Sequence, residues 1–320
     1  MKAILHEKYG GPEVLKLQEI EKPVPSPNQV LVKVHASTVN RTDCAILRAK
    51  PFIMRFFHGL NSPKIKIPGT DFSGEVEAIG AEVNSYKVGD KVFGFNDSGL
   101  ASKAEFLIIN EDGLFSRIPE SVSFEHAAAS LEGAHYAYNF INKVELRRGD
   151  NILVNGATGA IGSAMVQLLK YFGTSVTAVG NTKNLDLLKS IGADAVVDYT
   201  KEDFTRLSDE FDYVFDAVGK STFSKCKSLL KPSGIYISSE LGPYIQNPFL
   251  ALITSGSDGK KVKFPVPSDI SATIRFIKKL MEEGKYQAVL DRTYAIDEIK
   301  EAYHYVETGE KTGNVVIKIS

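Results

Sequence analysis

The sequence predicts an α/β protein that combines a β-rich domain with a doubly wound parallel sheet. Three observations support this prediction. Short strand-like runs separated by glycine and proline fill roughly the first 120 residues. After them, strands alternate with amphipathic helices, as in a parallel sheet. A glycine-rich loop lies between the first strand and the next helix of the alternating part. With 320 residues, the chain is long enough for about two domains.

Composition and charge exclude several classes of protein. Hydrophobic residues make up 43% and charged residues 24%, as in ordinary globular proteins. The formal net charge of −1 argues against a dedicated nucleic-acid binder, which carries a basic excess. Cys44 and Cys226 are the only cysteines in the sequence, which is too few for a four-cysteine zinc module. Reduced thiols in a cytosolic protein are the simplest interpretation, and a single disulfide between the two cysteines is the alternative.

We expect no targeting signal at the N-terminus. Its short apolar start is interrupted at once by His6, Glu7 and Lys8, whereas a signal peptide needs a longer apolar stretch. No apolar run approaches the roughly 20 residues that span a bilayer. We therefore expect a soluble, cytoplasmic protein.

The predicted elements divide the chain near residue 125. Strand-like runs precede it, at residues 30–34, 74–80 and 91–95. Helical spacing begins at 124–143, and strands follow at 151–154, 175–179, 195–197, 213–215 and 235–237. A helix containing Ile274 and Ile277 and a strand at 313–319 close the chain. The predicted layout is a β-rich domain over 1–125 and 267–320, with an α/β domain over 126–266.

The strongest motif is the glycine loop at 155–162 (NGATGAIG), directly after a strand and before a helix. Small residues there allow close approach of a pyrophosphate, which the helix N-terminus attracts. The candidate contacts are Thr158, Gly159, Ala160, Ile161 and Gly162. Ala157 replaces the first glycine of the usual fingerprint. A turn without ligand and an S-adenosylmethionine site are the competing interpretations.

The end of the second strand of this domain favours NADPH over NADH. An NAD site usually places an acidic residue there against the ribose hydroxyls. The sequence instead has Asn181, Thr182 and Lys183, two polar residues and a cation. This pattern predicts contact with a 2′-phosphate, unless Lys183 is simply a solvated lysine at a helix start.

Several motifs together resemble the medium-chain dehydrogenase/reductase superfamily, within it the zinc-free quinone-oxidoreductase branch. These motifs are residues 1–3, 10–15, 39–43 (VNRTD), 68–74 (PGTDFSG), 88–92 (VGDKV), the glycine loop and 191–194 (IGAD). The resemblance covers nearly the whole chain. It implies a GroES-like β-barrel domain and a Rossmann domain, with the cofactor between them.

Zinc-dependent relatives have a Cys where Asn40 stands and Gly-His-Glu where this chain has Gly69-Thr70-Asp71. No two of the six histidines have the helical spacing of metal ligands. Without a Lewis acid such as zinc, no metal ion polarises the alcohol oxygen, which is the usual way in which alcohol oxidation is catalysed. The resemblance therefore implies zinc-free, NADPH-dependent hydride transfer to quinones or α,β-unsaturated carbonyls.

The resemblance also implies roles for single residues. Asn40 would donate to the substrate oxygen and Asp43 would hold a neighbouring group, although both also suit a helix cap near Thr42. Ala45 stands where relatives often have a tyrosine, so solvent is the expected proton source. Further cofactor contacts are implied at Tyr199, Val218, Gly219, Ser239, Leu241 and Asn314. Tyr199 could equally be a rim aromatic and Asn314 a turn residue.

A basic, apolar segment separates Cys44 from Thr70. It has no acidic residue, and its five basic residues alternate with Phe52, Ile53, Met54, Phe56, Phe57 and Leu60. The favoured interpretation is a surface helix whose apolar face packs on the barrel. The alternatives are a mobile lid and peripheral attachment to an anionic membrane.

Two functions from different classes remain. The first is an NADPH-dependent quinone or enone oxidoreductase, and the second is a non-catalytic NADPH-binding sensor or structural protein. The resemblance also implies a homodimer. Residues 258–264 are a plausible edge strand for it, although Lys260, Lys261 and Lys263 could equally protect an unpaired edge.

Overall fold

The computed structural model describes residues 1–52, 54–256, 258–265 and 269–319. Its strands are β1 (Lys2–Leu5), β2 (Lys16–Glu19), β3 (Gln29–Val39), β4 (Asp71–Ile79), β5 (Lys91–Phe95), β6 (Phe106–Asn110), β7 (Phe115–Arg117), β8 (Asn151–Asn155), β9 (Ser175–Gly180), β10 (Ala195–Asp198), β11 (Phe211–Asp216), β12 (Leu230–Ser238), β13 (Lys261–Lys263), β14 (Leu290–Ala295) and β15 (Asn314–Lys318). Its helices are α1 (Arg41–Arg48), α2 (Met54–His58), α3 (Phe124–Ala128), α4 (Glu132–Ile141), α5 (Ala160–Tyr171), α6 (Leu185–Ser190), α7 (Phe223–Cys226), α8 (Gln246–Thr254), α9 (Ile270–Glu282) and α10 (Ile299–Thr308).

The chain forms two compact units. One contains Met1–Glu132 and Ile270–Ser320, and the other contains Gly133–Asp269. The predicted boundary at 266/267 lies outside the described residues, and the predicted domain limits stay a prediction.

The first unit is built on an antiparallel sheet around the long strand β3. The path is β14-β15-β3-β4-β5-β7, and β6 also pairs with β3. Alternating apolar side chains of these strands form a core with α10, in which Val32, Phe72, Val92 and Tyr303 are almost fully buried. The C-terminal strand β15 pairs with β3, so the two chain segments of this unit share one sheet.

The second unit is a parallel sheet with the strand order β10-β9-β8-β11-β12-β13. This is the Rossmann order, in which the chain starts at the centre and winds outwards first to one edge and then to the other. The order reverses between β8 and β11, where ligands bind in such sheets. The predicted α/β class with a doubly wound parallel sheet is confirmed.

The helix expected over 124–143 is interrupted. It forms as α3 and α4, with residues 129–131 between them. The Ser130 hydroxyl donates to the Ala127 carbonyl at 2.8 Å, which ends the first helix by competing with its backbone hydrogen bonds. The break places Glu132 at the start of a new helix.

Candidate active site

The glycine loop connects β8 to α5. Its residue Gly156 has a φ of +76°, and an added Cβ there would lie 2.7 Å from the Cβ of Val218. At Gly162 an added Cβ would collide with the Gly156 carbonyl oxygen. Gly162 therefore allows α5 to approach the loop closely. The residues of the motif fold as a Rossmann phosphate loop requires.

The N-terminus of α5 has space for a ligand. Gly159 is the N-cap and provides no side chain to accept from the first turn. An added Cβ at Gly159 would have its nearest neighbour 3.7 Å away, the Gly156 carbonyl oxygen. Uncapped N–H groups at the positive end of a helix dipole bind anions such as a pyrophosphate.

Two buried polar atoms beyond the carboxyl ends of the parallel strands have no hydrogen-bond partner among the described residues. They are Oδ1 of Asn181, after β9, and the hydroxyl of Ser239, after β12. An unsatisfied buried polar group costs about 1–3 kcal/mol, so a polar ligand would stabilise both. The loop geometry and these two atoms together fit a dinucleotide.

Thr182, Lys183 and Tyr199 lie at the ends of the neighbouring strands β9 and β10. Lys183 is exposed and has no ion-pair partner among the described residues, and Tyr199 is 55% exposed. The Thr182 hydroxyl donates to the Asp198 carboxylate at 2.5 Å. Lys183 is therefore available to bind an anion at this edge, whereas the hydroxyl of Thr182 already donates to Asp198.

Asp198 lies beside the end of the second strand, although residues 179–183 themselves contain no acid. The parallel register places it opposite Gly180, the last residue of β9. Hydrogen bonds from Thr182 and Thr200 hold its pKa at about 2, so it is ionised at neutral pH. Lys201 lies 3.6 Å from it. The contact between Thr182 and Asp198 could have been predicted only from strand register, because the two residues are 16 positions apart in the sequence.

A second carboxylate missed in the sequence, Asp216, shapes the predicted contact at Val218 and Gly219. It is fully buried at the end of β11. It accepts from the backbone N–H of Gly219 at 2.9 Å and of Ser221 at 3.0 Å. The Tyr236 hydroxyl also donates to it, at 3.0 Å. Asp216 therefore fixes the loop that follows β11, on the side of the sheet where the strand order reverses.

Asn40 is the N-cap of α1 and is 2% exposed. Its side-chain oxygen accepts from the Asp43 backbone N–H at 2.8 Å, and the Asp43 carboxylate accepts from the Asn40 N–H at 3.3 Å. The Asn40 amide nitrogen donates to the Thr70 hydroxyl at 2.8 Å and to Asp71 at 3.3 Å. Asn40 therefore caps α1, which was the alternative role, and its catalytic role stays a prediction.

Asp43 forms a fully buried ion pair. Its carboxylate lies 2.8 Å from Nζ of Lys103, and the two side chains are 1% and 0% exposed. Burial raises the pKa of Asp43, while Lys103 opposes this shift. Asp71 lies close enough to Asp43 that burial and the like charge raise the pKa of Asp71 to about 6. These groups tie α1 to the strands of the first unit.

Glu132, which sequence reasoning did not single out, lies beside the same cluster. It is 5% exposed and accepts a hydrogen bond from the Thr42 hydroxyl at 3.2 Å. Burial raises its pKa to about 7, and Lys311 partly opposes this shift. A carboxyl group with this pKa exchanges its proton near neutral pH.

Asn314 opens β15 and is 5% exposed. Its amide donates to the Val289 carbonyl at 3.0 Å, which matches the alternative role as a turn residue. Its role toward a cofactor stays a prediction. Leu241 follows β12 and is 40% exposed.

The favoured interpretation of the basic, apolar segment is wrong for four of its five named apolar side chains that the structure describes, and only Met54 is half-buried. Phe52, Phe56, Phe57 and Leu60 are 63%, 66%, 69% and 55% exposed. Helix α2 has only five residues, so it is too short to place them on one apolar face. Ile53 lies outside the described residues. The lid and the membrane contact remain as interpretations.

Among the residues that the structure describes, no group of three or more His, Cys, Asp and Glu side chains could hold a metal ion. Within the same residues, no helix is long and apolar enough to cross a bilayer.

Two family models match the chain. The model described as alcohol dehydrogenase GroES-like domain matches residues 26–116, and the one described as zinc-binding dehydrogenase matches residues 191–317. The first match confirms the predicted GroES-like domain class.

Curated proteins and solved structures match over nearly the whole of this chain. The chain is 33% identical to 2-methylene-furan-3-one reductase of Solanum lycopersicum, over 99% of this chain and 79% of that protein. It is 31% identical to the chloroplastic NADPH-dependent alkenal/one oxidoreductase of Arabidopsis thaliana, with the same coverage. The quinone oxidoreductase structure from Coxiella burnetii superposes with a TM-score of 0.86 at 29% identity, covering 100% of this chain and 99% of that chain.

Proposed function

Because the chain belongs to the quinone-oxidoreductase-like branch of the medium-chain dehydrogenase/reductase superfamily, we propose that it is an NADPH-dependent oxidoreductase. Its acceptors are quinones or α,β-unsaturated carbonyl compounds, and it works without zinc. The names of its relatives, an alkenal/one oxidoreductase and a quinone oxidoreductase, support this choice of acceptors. The observation that carries the proposal is the glycine loop. At the same end of the sheet lie the polar atoms of Asn181 and Ser239 that have no hydrogen-bond partner among the described residues.

The chain's own residues would hold the cofactor as follows. Backbone groups at Thr158, Gly159, Ala160, Ile161 and Gly162 bind the pyrophosphate. The 2′-phosphate binds Lys183, with Thr182 and Tyr199 beside it. Val218, Gly219, Ser239, Leu241 and Asn314 complete the list of proposed contacts. NADPH, when bound, supplies a hydride.

The acceptor would be oriented by residues of the first unit. Asn40 and Asp43 are the proposed residues at the acceptor. Since the Asn40 amide already donates to Thr70 and Asp71, it must exchange one of these bonds to reach a substrate oxygen. Such an exchange would stabilise negative charge as it develops on that oxygen.

The proposal predicts that activity is independent of zinc. Purified protein should contain no stoichiometric zinc, and a chelator should leave turnover unchanged, because Asn40 and Thr70 replace ligands of the zinc-dependent relatives. Elemental analysis and an assay with and without chelator test this. Stoichiometric zinc together with loss of activity in chelator would contradict it.

We also propose a homodimer joined at the β13 edge of the parallel sheet. Helix α8 lies next to β13 and exposes Phe249, Leu252 and Ile253 by 62%, 74% and 75%. Apolar side chains exposed beside a sheet edge are typical of association surfaces. Light scattering should give twice the mass of the 35.0 kDa chain. A monomer mass at every concentration of a dilution series would rule the dimer out.

The proposed location is the cytoplasm. The names of several relatives give other cellular locations, such as the chloroplast. Peripheral contact with an anionic membrane through the exposed phenylalanines and lysines of residues 50–66 is a further part of the proposal.

The alternative, a non-catalytic NADPH-binding protein, predicts binding without turnover. Measuring NADPH oxidation with a panel of quinones and enones separates the two. Turnover with any of these acceptors supports the oxidoreductase. Cofactor binding without turnover on the whole panel supports the sensor or structural protein.

A further inference from the structure

Glu132 is a buried acid held against the hydroxyl of a half-buried threonine. Its carboxylate oxygen lies 3.2 Å from the Thr42 hydroxyl, although 90 residues separate the two in sequence. Thr42 is half-buried, whereas Glu132 is almost fully buried. Thr42 belongs to α1, one residue before Asp43 and two after Asn40. Thr42 therefore lies on the helix turn where the acceptor residues are proposed, and Glu132 contacts it from the start of α4.

Charged and titratable groups face Glu132 from several elements. Lys311, in the segment before β15, favours its ionised form, while Asp71 of β4 and Asp43 of α1 oppose ionisation. Tyr286, between α9 and β14, is also near enough to sense its charge. Burial is the largest influence and favours the protonated acid. The surroundings therefore keep a proton on Glu132 up to about neutral pH. Among the described residues, no ion pair joins Glu132 to an arginine or a lysine.

We propose that Glu132, acting through the Thr42 hydroxyl, supplies the proton that completes the reduction of an α,β-unsaturated carbonyl compound. This inference rests on the proposed function, because it assigns the proton source for that reaction. The segment after Asp43 has no tyrosine to act as donor, since Ala45 stands there. The amide of Asn40 cannot serve as an acid, and its hydrogens already bind Thr70 and Asp71.

The step balances with solvent as the final proton source. The hydride from NADPH brings two electrons and one hydrogen to the β-carbon, and the C=C bond becomes an enolate. In the structure the Thr42 hydroxyl donates across the 3.2 Å contact. When Glu132 is protonated, its O–H donates to the Thr42 oxygen instead, and the Thr42 O–H turns to the acceptor. The Thr42 O–H bond breaks as a C–H bond forms at the α-carbon. The Glu132 O–H bond breaks at the same time and restores the Thr42 hydroxyl. The Glu132 carboxylate then takes a proton from water, so that the net reaction consumes one hydride and one proton.

The variant Glu132→Gln keeps the size of the side chain but cannot give up a proton in this way. With cyclohexenone as acceptor, we expect its kcat to fall about 100-fold or more, the usual contribution of a general acid. With para-benzoquinone, kcat should change little, because the reduced quinone is protonated on oxygen, which exchanges protons rapidly with water. The wild-type kcat with cyclohexenone should fall as the pH rises above about 7, where Glu132 is ionised, and the variant should lack this decrease.

Two threonine variants test the relay. Thr42→Ser keeps the hydroxyl and should retain most of the activity with cyclohexenone, whereas Thr42→Val removes it and should resemble Glu132→Gln. The urea concentration at the midpoint of unfolding reports on the Glu132 proton without substrate or cofactor. Since ionisation of buried Glu132 costs stability, the midpoint of Glu132→Gln relative to wild type should rise as the pH rises from 4.5 to about 7.

The possible failures are distinguishable. If the wild type reduces neither acceptor, the proposed function fails, and the urea titration still reports on the Glu132 proton. If the wild type is active but Glu132→Gln keeps its rate and the same decrease with pH, the proton relay is wrong. Equal losses with cyclohexenone and para-benzoquinone would also overturn it, because they would assign Glu132 to the fold or to cofactor binding.

Discussion

Lys103→Met should destabilise the first unit by about 3–5 kcal/mol, the usual cost of removing one partner of a buried ion pair. The variant leaves the Asp43 carboxylate fully buried without its cation, which lies 2.8 Å away in the wild type. Urea unfolding followed by circular dichroism measures the loss. The loss should shrink as the pH falls, because burial favours the protonated form of Asp43 and a protonated acid needs no cation.

Two further variants show whether this loss comes from the buried charge. Lys103→Met combined with Asp43→Asn has no buried charge at the pair and should recover a substantial part of the stability. Lys22→Met breaks the ion pair with Glu77, whose side chains are 42% and 40% exposed. An exposed pair contributes only about 0–1 kcal/mol, so this matched control should hardly change. Equal losses from Lys103→Met and Lys22→Met would contradict the account of the buried pair.

Lys183→Ala should weaken NADPH binding about tenfold to a hundredfold and leave NADH binding nearly unchanged. A hydrogen bond to a charged group contributes about 1.5–3 kcal/mol, and about 1.4 kcal/mol corresponds to a factor of ten. Because Lys183 is exposed, we expect the lower end of this range. The hydroxyl of Thr182 already donates to Asp198, so it cannot easily replace the lysine. Fluorescence titration with both cofactors gives the dissociation constants.

The matched control is Lys189→Ala, an exposed lysine on α6 whose only ion-pair partner among the described residues is Asp186, 4.0 Å away. It should leave both dissociation constants unchanged. If Lys183→Ala weakens NADPH and NADH equally, the lysine supports the fold or the shared pyrophosphate site. If neither constant changes, Lys183 is an ordinary solvated lysine.

The parts of the fold that local sequence determines could be predicted. The loop at 155–162 and the apolar spacing of α5 lie within one strand-loop-helix unit, and the structure forms them there. The short helix α6 ends at Ser190, and Gly192 follows with a φ of +108°, a left-handed conformation that favours glycine after the end of a helix. In these cases the neighbours that decide the conformation are adjacent in the chain.

The carboxylates of the candidate site could not be predicted, because distant segments surround them. Strand register brings Asp198 opposite Gly180 and Asp216 opposite Asn155. Glu132 meets Thr42 only through the fold of the first unit. From sequence alone, Asn40 could be either a helix cap or a substrate contact. In the structure it caps α1. All three phenylalanines of residues 52–57 are exposed, although the favoured interpretation packed them on the barrel, because the five-residue helix α2 is too short to form a continuous apolar face.

The central claim is that this chain transfers hydride from NADPH to a conjugated acceptor. NADPH carrying deuterium at the transferred position of its nicotinamide tests it most directly, with cyclohexenone as acceptor and mass spectrometry and NMR of the product. The account predicts saturated cyclohexanone with one deuterium at the β-carbon and none at the α-carbon, whose hydrogen comes from water. A product without deuterium, deuterium on the carbonyl carbon, or the absence of product from both cyclohexenone and para-benzoquinone with bound cofactor would contradict it.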